Sequence, residues 1–410
     1  DNQFLQLGDT GGIVVNVQPD GLAEVVIAAN RVADPVFDAT RTGAGTRVAR
    51  EQIEGLPSIN RNIQDYVRTD PRIAQTDKER GEISAGGQNT RFNNIRIDGV
   101  STNDGFGLES NNLPTERQPI SIDSIESINI ALADFDVARS GYTGASINAV
   151  TKSGTNDFKG SAYYFTRSND WVGKRNGNKF TGFEDENTIG ATLGGPIIED
   201  SLFFYASYYR PEVNRDNPVT AYGNVKDYKS VRDEYFGKLT WAPTDDLLFN
   251  LSLRTSDREG RGLGIGAFDP DSQSVGEASY QDILTLDGSW IASENTSVSF
   301  KFGKFDLETA GTPDKVLSFV GKPGDKLNIA DLTNAGRFTV PTLLATATTP
   351  AQILFNQQAQ LLINQYGYTN SAGVKAGGGR IGAWPEINDQ DFYRDTFEVA
   401  IDHKLEIGST

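Results

Sequence analysis

The sequence predicts a small α+β domain followed by an antiparallel transmembrane β-barrel. From about residue 158 onward, predicted strands show one apolar and one mostly polar face. The connectors between these strands alternate between very short and long. A membrane barrel has this asymmetry because tight turns join its strands on one side of the membrane and long loops join them on the other.

The upstream α+β domain is predicted from four short segments. Residues 51–57 indicate a short helix that Gly and Pro end, and residues 62–68 indicate one or two further helical turns. Residues 94–100 predict a strand that runs into an Asp-Gly turn, and residues 125–130 predict a second strand. These pieces fit a mixed α+β domain.

The strands of the predicted barrel are defined by strict alternation. Residues 247–254, 283–290, 297–302 and 396–402 each place Leu, Ile, Val, Phe or Trp on one face and mostly polar residues on the other. The phase changes at Gly303, after which Phe305 and Leu307 carry the apolar set. The sequence therefore predicts a β-bulge at Gly303.

Turn formers fill the short connectors at residues 198–200, 243–246 and 293–295. Long, polar connectors are predicted at residues 170–185, 211–231, 257–280 and 310–390. Within the longest, Pro350 to Tyr366 predicts an amphipathic helix capped by Thr349, with Ile353, Leu354, Leu361 and Leu362 at helical spacing. This apolar stripe is expected to pack on the loop itself.

Alternating strands also build soluble sandwiches, so periodicity alone leaves that fold open. Aromatic residues near the predicted strand ends favour a membrane barrel, because aromatic girdles lie at membrane interfaces. These residues are Tyr163, Tyr164, Phe165, Trp171, Phe203, Phe204, Tyr205, Tyr208, Tyr209, Tyr235 and Trp241.

Composition excludes several classes of protein. The chain has 410 residues and a net charge of −17, which argues against nucleic acid as a partner. It has no cysteine and a single histidine, His403, which leaves few ways to build a metal site or an acid-base triad. We therefore expect no metal, no cofactor and no enzyme activity. Methionine is absent even at position 1, so the chain is expected to be processed or a fragment.

Three motifs resemble those of TonB-dependent outer-membrane receptors. Residues 86–100 (GGQNTRFNNIRIDGV) and residues 125–156, which end in TKSGTN, resemble the plug signature of that family. Together with residues 194–204 (GGPIIEDSLFF), they are most similar to the Oar-like branch, whose members carry a carboxypeptidase-regulatory-like domain before the plug. The resemblance covers about residues 20–410.

The resemblance implies a plug inside a barrel of about 22 strands, of which this chain would hold the first eight or so. It implies the end of an N-terminal sandwich-like domain at residues 1–22, a TonB-box-like segment and linker at 23–40, a plug at 41–153 and barrel at 154–410. The protein would be integral to a Gram-negative outer membrane, contact its lipid and lipopolysaccharide, and import a small or oligomeric ligand. The alternative is a surface binding or adhesion protein.

A TonB-type energy-transducing protein is the second implied partner. Its binding segment would be Glu24, Val25, Val26, Ile27 and Ala28, which resemble a TonB box. A β-branched, extended segment suits strand addition to a partner sheet. The alternative is a simple linker strand.

The remaining candidate residues fall into two groups. The residues predicted to contact ligand above the plug are Asn103, Asp104, Phe106, Leu108, Trp171 and Trp384. Charged residues predicted to pair across the plug and barrel are Arg91, Glu126 and Arg139 on the plug and Lys238, Arg254, Glu398 and Asp402 on the barrel. Hydrated ion pairs of this kind contribute little each and would leave the plug able to shift.

Overall fold

The structure is a computed structural model. It describes residues 43–56, 58, 61–77, 81–104, 110–113, 120–134, 141–174, 177, 183–214, 219–224, 229–263, 265–270, 275–313, 338–381 and 388–403. Two sheets dominate these residues. A five-stranded sheet lies within residues 43–151, and this part of the chain is called the plug below. An eight-stranded sheet lies within residues 159–403 and is called the wall.

The plug combines short strands with two helices. Its elements are β1 (Gly43–Val48), α1 (Arg50–Gly55), α2 (Ile63–Val67), β2 (Ile73–Asp77), β3 (Glu82–Ala85), β4 (Asn94–Ile97), β5 (Val100–Ser101), β6 (Ile125–Asp134) and β7 (Ser146–Thr151). The sheet order is β1-β6-β7-β4-β5, and β2 and β3 form a separate hairpin. Both predicted helices and both predicted strands are confirmed.

The wall is an antiparallel meander. Its strands are β8 (Lys159–Ser168), β9 (Asp185–Ile198), β10 (Leu202–Asn214), β13 (Lys229–Thr244), β14 (Leu247–Leu263), β15 (Val275–Ser293), β16 (Thr296–Pro313) and β21 (Asn388–His403). They follow one another in chain order, with β8 and β21 at the two edges of the sheet. The predicted short turns lie between consecutive strands, as expected.

Small elements occupy the long connectors. They are β11 (Val219–Thr220), β12 (Gly223–Asn224), β17 (Phe338–Thr339), α3 (Pro350–Tyr366), β18 (Tyr368–Thr369), β19 (Lys375–Ala376) and β20 (Arg380–Ile381). None of the helices among the described residues is both long enough and apolar enough to span a bilayer.

Register places the outward side chains of the wall in rows. One row is apolar and contains Phe204, Leu239, Leu251, Leu286, Phe302 and Phe397. A second row lies four residues away on each strand, on the side of the long connectors. This row is polar and aromatic and contains Tyr208, Tyr235, Thr255, Asp282, Asp306 and Tyr393. This change marks where the strands leave hydrocarbon for water.

The apolar row lies on the outside of the wall. Leu251 is 43% exposed and Phe397 is 77% exposed, whereas Asn250 and Ser252 on the inner face are buried. A soluble sandwich would cover its apolar face, so the structure favours the barrel over the sandwich.

The strands are longer than predicted. The alternation predicts a strand that ends near Arg254, but β14 continues to Leu263, and β15 begins at Val275. Beyond the apolar row both faces of these strands carry mostly polar residues, so hydrophobic alternation disappears while the backbone ladder continues. The connectors predicted at residues 211–231, 257–280 and 310–390 are shorter than predicted for the same reason.

The predicted β-bulge at Gly303 is wrong. Register runs unbroken through Thr285↔Gly303 and Leu284↔Lys304. The apolar set changes face because Phe305 and Leu307 point inward, where they are buried against the plug. Gly303 is required because its own Cβ would lie 2.5 Å from Val100 Cγ2 of the plug.

The predicted aromatic girdle is only partly correct. Five of the aromatic residues assigned to it face the lumen or the plug instead: Tyr163, Phe165, Phe203, Tyr205 and Tyr209. Others lie on the outer face, where Trp241 stacks on Phe249 with ring centroids 5.5 Å apart. The presence of an aromatic residue near a predicted strand end did not show whether its ring faces lipid or packs on the plug.

Helix α3 has the predicted bounds and the predicted cap, in which Thr349 accepts from Gln352 N. The helix packs on its own connector as predicted, but not through the predicted stripe. Ala359 and Ile363 are the buried residues of the helix, and Ile363 packs on Val340, whereas Leu361 of the expected stripe is 64% exposed.

The lipid-facing row can be tested with a charge. Leu251→Arg places a cation in the apolar band, and we expect it to destabilise the folded protein by about 2–4 kcal/mol, against about 0–1 kcal/mol for Thr255→Arg at the polar boundary. The measurement is urea titration of the full-length protein in bilayers, with folding followed by heat-modifiable gel migration. Equal effects of the two substitutions would place the bilayer elsewhere.

Candidate functional site at the plug and wall interface

The plug and the inner face of the wall share one hydrophobic core. Ile95, Ile97 and Ile147 of the plug cluster with Phe236, Ile283, Phe305 and Leu307 of the wall. Around this core lie three polar contacts between plug and wall, described next.

The first contact is built on the Asp98-Gly99 turn between β4 and β5. Both residues have positive φ, 46° and 80°, as a two-residue hairpin turn requires. The buried Asp98 carboxylate accepts from Thr151 N (2.9 Å) and Thr151 Oγ1 (2.6 Å). The turn is therefore fixed to the end of β7.

Two wall lysines converge on this turn. Lys238 Nζ lies 3.0 Å from Thr151 Oγ1 and 3.9 Å from Asp98 Oδ2. The buried Lys301 ammonium covers Gly99 so closely that a Cβ there would overlap it. Asp287 lies on the same inner face of the wall and accepts from Asn250 Nδ2 (2.9 Å). The formal charges of Lys238 and Lys301 are thus matched by those of Asp98 and Asp287.

The second contact is the turn at residues 121–124, called the gate turn below. Ser121 N donates to Glu234 Oε1 (2.5 Å), and the hydroxyls of Ser124 and Ser207 lie 2.6 Å apart. Tyr205 OH donates to the Asp123 carbonyl (3.0 Å), and Tyr163 OH donates to the Asp123 carboxylate. Every one of these contacts is polar.

The third contact is made by Arg394 of β21. Its Nη1 donates to the Ser101 carbonyl and its Nη2 to the Asn103 carbonyl, each at 3.0 Å. The planar guanidinium thus holds two backbone groups of the outer tip of the plug at once.

Inside the plug, a separate cluster fixes β1, which is an edge strand. Thr46 Oγ1 donates to Asp70 Oδ2 (2.7 Å), and Arg72 Nε donates to Asp70 Oδ1 (2.8 Å). Burial would raise the pKa of Asp70, but the hydrogen bonds from Arg72 and Thr46 outweigh it and lower this pKa to about 2.

The outer connectors are fastened to one another. Arg380 Nε lies 2.7 Å from Asp269 Oδ1, and Tyr222 OH donates to the Tyr366 carbonyl (3.0 Å). Phe268 packs on Tyr368 with centroids 5.2 Å apart. Three connectors therefore form one folded unit on the outer side of the wall.

The structure brings together few of the residues predicted to contact ligand. Asn103 Oδ1 accepts from Ile95 N (2.8 Å) and its Nδ2 donates to the Asn93 carbonyl (2.9 Å), so the amide holds plug backbone. Asp104 is half-buried beside it, and Trp171 is 70% exposed on a connector. Phe106, Leu108 and Trp384 lie outside the described residues.

Among the predicted charged pairs, Lys238 reaches the plug as described. Arg254 Nη1 donates instead to Gln281 Oε1 (2.5 Å) within the wall, and Glu398 pairs in register with Lys301. The exposed residues of this set are Arg91, Glu126 and Asp402. Arg139 and the whole segment Glu24–Ala28 lie outside the described residues.

The sequence patterns did not indicate most of the residues that join plug and wall: Asp98, Ser121, Asp123, Thr151, Glu234, Lys301 and Arg394. A usable signal existed for Lys301, because it occupies the polar face of a predicted strand. The plug partners carried no such signal, because several act through backbone groups that any residue supplies.

These features define a class: an outer-membrane β-barrel wall with a plug on its inner face. Residues 150–225 match a family model described as "Outer membrane beta barrel domain". The chain is 26% identical over 388 residues to "TonB-dependent transporter Oar" of Myxococcus xanthus, covering 82% of this chain and 35% of that protein. It is 26% identical over 284 residues to "Probable TonB-dependent siderophore receptor PirA" of Acinetobacter baumannii, covering 59% and 35%.

Solved structures show the same fold. The outer membrane transporter YddB from Escherichia coli superposes with a TM-score of 0.60 at 17% identity, covering 89% of this chain and 46% of that chain. The siderophore receptor PirA from Acinetobacter baumannii superposes with a TM-score of 0.51 at 20% identity, covering 69% and 42%.

The chain is thus homologous to TonB-dependent transporters, carries an outer-membrane β-barrel domain and is integral to the outer membrane. Neither curated relative is named as an enzyme. The chain spans about a third of the length of these relatives, 35% in each case.

The first contact predicts strong coupling between Asp98 and Lys238. Asp98→Asn alone leaves a buried lysine with less compensation, and we expect a loss of about 3–5 kcal/mol, with a similar loss for Lys238→Met. The double variant keeps the cluster neutral and should lose much less than the sum. Hydrogen exchange of the Thr151 amide measures these losses, and strict additivity would mean that the two groups do not interact.

The Asp70 cluster predicts a pH dependence. Because the folded pKa is about 2 and the ordinary value is 3.8, the stabilisation is present above pH 4 and is lost as pH falls toward 2; we expect about 2 kcal/mol. Urea unfolding of the plug, followed by a dye on Gln88→Cys, should show Asp70→Asn less stable at neutral pH. The difference from the Asp70-containing protein should vanish near pH 2, and a difference that persists there would contradict the assignment.

Proposed function

We propose that this protein is a TonB-dependent outer-membrane transporter, which binds a ligand above the plug and imports it with energy from the inner membrane. The observation that carries the proposal is the plug itself, which packs on the inner face of the wall and is held at its margins by hydrogen bonds and charged groups. Each such bond contributes only about 1 kcal/mol net. An applied force can therefore break these bonds one at a time and displace the plug. A passive pore would need neither a plug nor bonds that a force can release.

The segment Glu24–Ala28 is the proposed TonB-binding site. It lies 15 residues before β1, which begins at Gly43. Since β1 is the edge strand of the plug sheet, a pull on the preceding chain reaches the plug through β1 first. This geometry supports a role for residues 23–40 as the connection between the energy source and the plug.

The ligand is proposed to meet the outer tip of the plug at Asn103 and Asp104, with contributions from Phe106, Leu108, Trp171 and Trp384. One curated relative is named as a siderophore receptor, which makes ferric chelates the first ligand class to test. Oligosaccharides, peptides and cobalamin are further candidates from the family resemblance.

Two finer assignments complete the proposal. Residues 1–22 are assigned to the end of a carboxypeptidase-regulatory-like domain, as in the Oar-like branch. The polar and aromatic row above the apolar band is assigned to contact with the headgroups of outer-membrane lipid and lipopolysaccharide.

The test is cross-linking of the full-length protein to a TonB-type protein in cells. Val26→Pro removes a backbone donor that strand addition needs, and we expect it to abolish cross-linking from a photoreactive group placed at position 24. Val26→Thr keeps the β-branched shape and the backbone donor, and should cross-link normally. Unchanged cross-linking of Val26→Pro would show that residues 24–28 are a linker.

A further inference from the structure

A cavity of about 980 Å³ lies between the base of the plug and the inner face of β8–β10. On the plug side it is lined by Arg50, Glu54, Glu126 and Lys152, and on the wall side by Ser161, Thr192 and Tyr205. Asp200, in the short turn between β9 and β10, lies at its rim. The cavity, called the vestibule below, is therefore polar and lies on the short-turn side of the wall.

On the β16 side, the described residues of plug and wall are closely packed. There the Ile95 and Ile97 core packs on Phe305 and Leu307, and Gly303 approaches Val100 so closely that a Cβ would lie 2.5 Å from it. Separating this surface would expose apolar area to water at roughly 25 cal/mol per Å². A solute would meet its highest barrier on this side.

The gate turn lies next to the vestibule. Tyr205 lines the vestibule and also donates to the Asp123 carbonyl, and Ser124 contacts Ser207 on the next inward position of β10. Because these contacts are hydrogen bonds, water can replace each of them at little net cost. Tyr205 also belongs to the hydrophobic cluster that contains Ile122 and Ile125, but four residues of β13, β15 and β16 belong to it: Phe236, Ile283, Phe305 and Leu307. The gate turn therefore exposes less apolar area when it moves away from β10 than the plug does when it moves away from β16.

Arg50 links the gate turn to the start of the plug. It is the first residue of α1, two positions after β1 ends, and its Nη1 donates to the carbonyls of Ile122 (3.0 Å) and Ile125 (2.9 Å). The Arg50 guanidinium thus passes a displacement of β1 and α1 to Ile122 inside the gate turn and to Ile125 directly after it. Lys152 lies in the same cavity, and burial and then the charge of Arg50 lower its pKa.

We infer that an imported hydrophilic solute leaves the barrel through the vestibule, on the β8–β10 side of the plug, and that Arg50 couples movement of β1 to opening of the gate turn. This inference rests on the proposed transport function and deepens it. The lining carries both signs of charge and several hydroxyls, which suits a polar solute and disfavours an apolar one.

The chain has no cysteine, so single thiols can report on each side of the plug. Ser124→Cys lies in the gate turn and Val100→Cys lies on the β16 side, and both native side chains are fully buried. The probe is the small anionic reagent sulfonatoethyl methanethiosulfonate, applied to cells that express the full-length protein. Ser161→Cys in the vestibule should react whether or not energy is supplied.

With the energy supply intact, we expect Ser124→Cys to react about tenfold faster than with a protonophore present, a typical size for coupling between two sites. Val100→Cys should stay unreactive in both conditions. Arg50→Gln should abolish the energy dependence at Ser124→Cys while cross-linking to the TonB-type protein continues. Should Ser124→Cys fail to fold, Ser207→Cys on β10 reports the same opening from the wall side.

A response at Val100→Cys equal to that at Ser124→Cys would overturn the inference, because the whole plug would then move. No response at either thiol, with cross-linking at residues 24–28 retained, would overturn it and leave the proposed function standing. Loss of cross-linking as well would instead contradict the proposed function. An unreactive Ser161→Cys would show that the vestibule is closed to water.

Discussion

Each wall strand must satisfy two different neighbours at once, and the rest of the structure depends on this constraint. The backbone of a strand in hydrocarbon has to pair with adjacent strands, so its side chains can point only outward to lipid or inward to the plug. Leu251 and Phe302 point outward, whereas Asn250 and Lys301 on the same strands point inward. The inward face can therefore carry charge that the lipid-facing side of the same strand has to avoid.

The plug uses this inner face unevenly. Toward β13–β16 it is joined by a shared apolar core and by a neutral cluster of lysines and aspartates, with glycines at the closest approaches. Toward β8–β10 it is joined mainly by the hydroxyls and carbonyls of the gate turn, above a polar cavity, and Tyr205 is the residue of these strands that belongs to the shared core. Apolar burial resists separation in proportion to area, and hydrogen bonds exchange with water at small net cost. The two sides therefore differ in how readily they open.

Several glycines and arginines contribute to the contacts of the plug through their position in the fold. Gly99 and Gly303 lie where Lys301 and Val100 occupy the space of a side chain, so each glycine allows plug and wall to touch. Arg50 and Arg394 both donate to backbone carbonyls, Arg50 in addition to its ion pair with Glu54, which lets a helix or the wall hold the backbone of a turn. Neither pattern depends on a motif of side chains alone.

Local patterns predicted the elements well wherever each face of a strand has the same environment along its whole length. The alternation at residues 247–254 located β14, and Thr349 located the start of α3. The predictions failed where surroundings changed along an element. The phase change at Gly303 looked like a bulge, although Phe305 and Leu307 there pack on the plug. The outer ends of the strands looked like loops because polar residues occupy both faces.

The strand faces, the order of plug before wall and the short turns could be read from the chain alone, because they follow from side-chain periodicity, local motifs and turn chemistry. Which inward residues meet the plug is visible only in the folded chain. Lys238, Lys301 and Arg394 come from three strands, and their partners Asp98, Gly99 and Ser101 lie in one short segment far away in the chain. Such contacts depend on register and on the position of the plug, which no local pattern encodes.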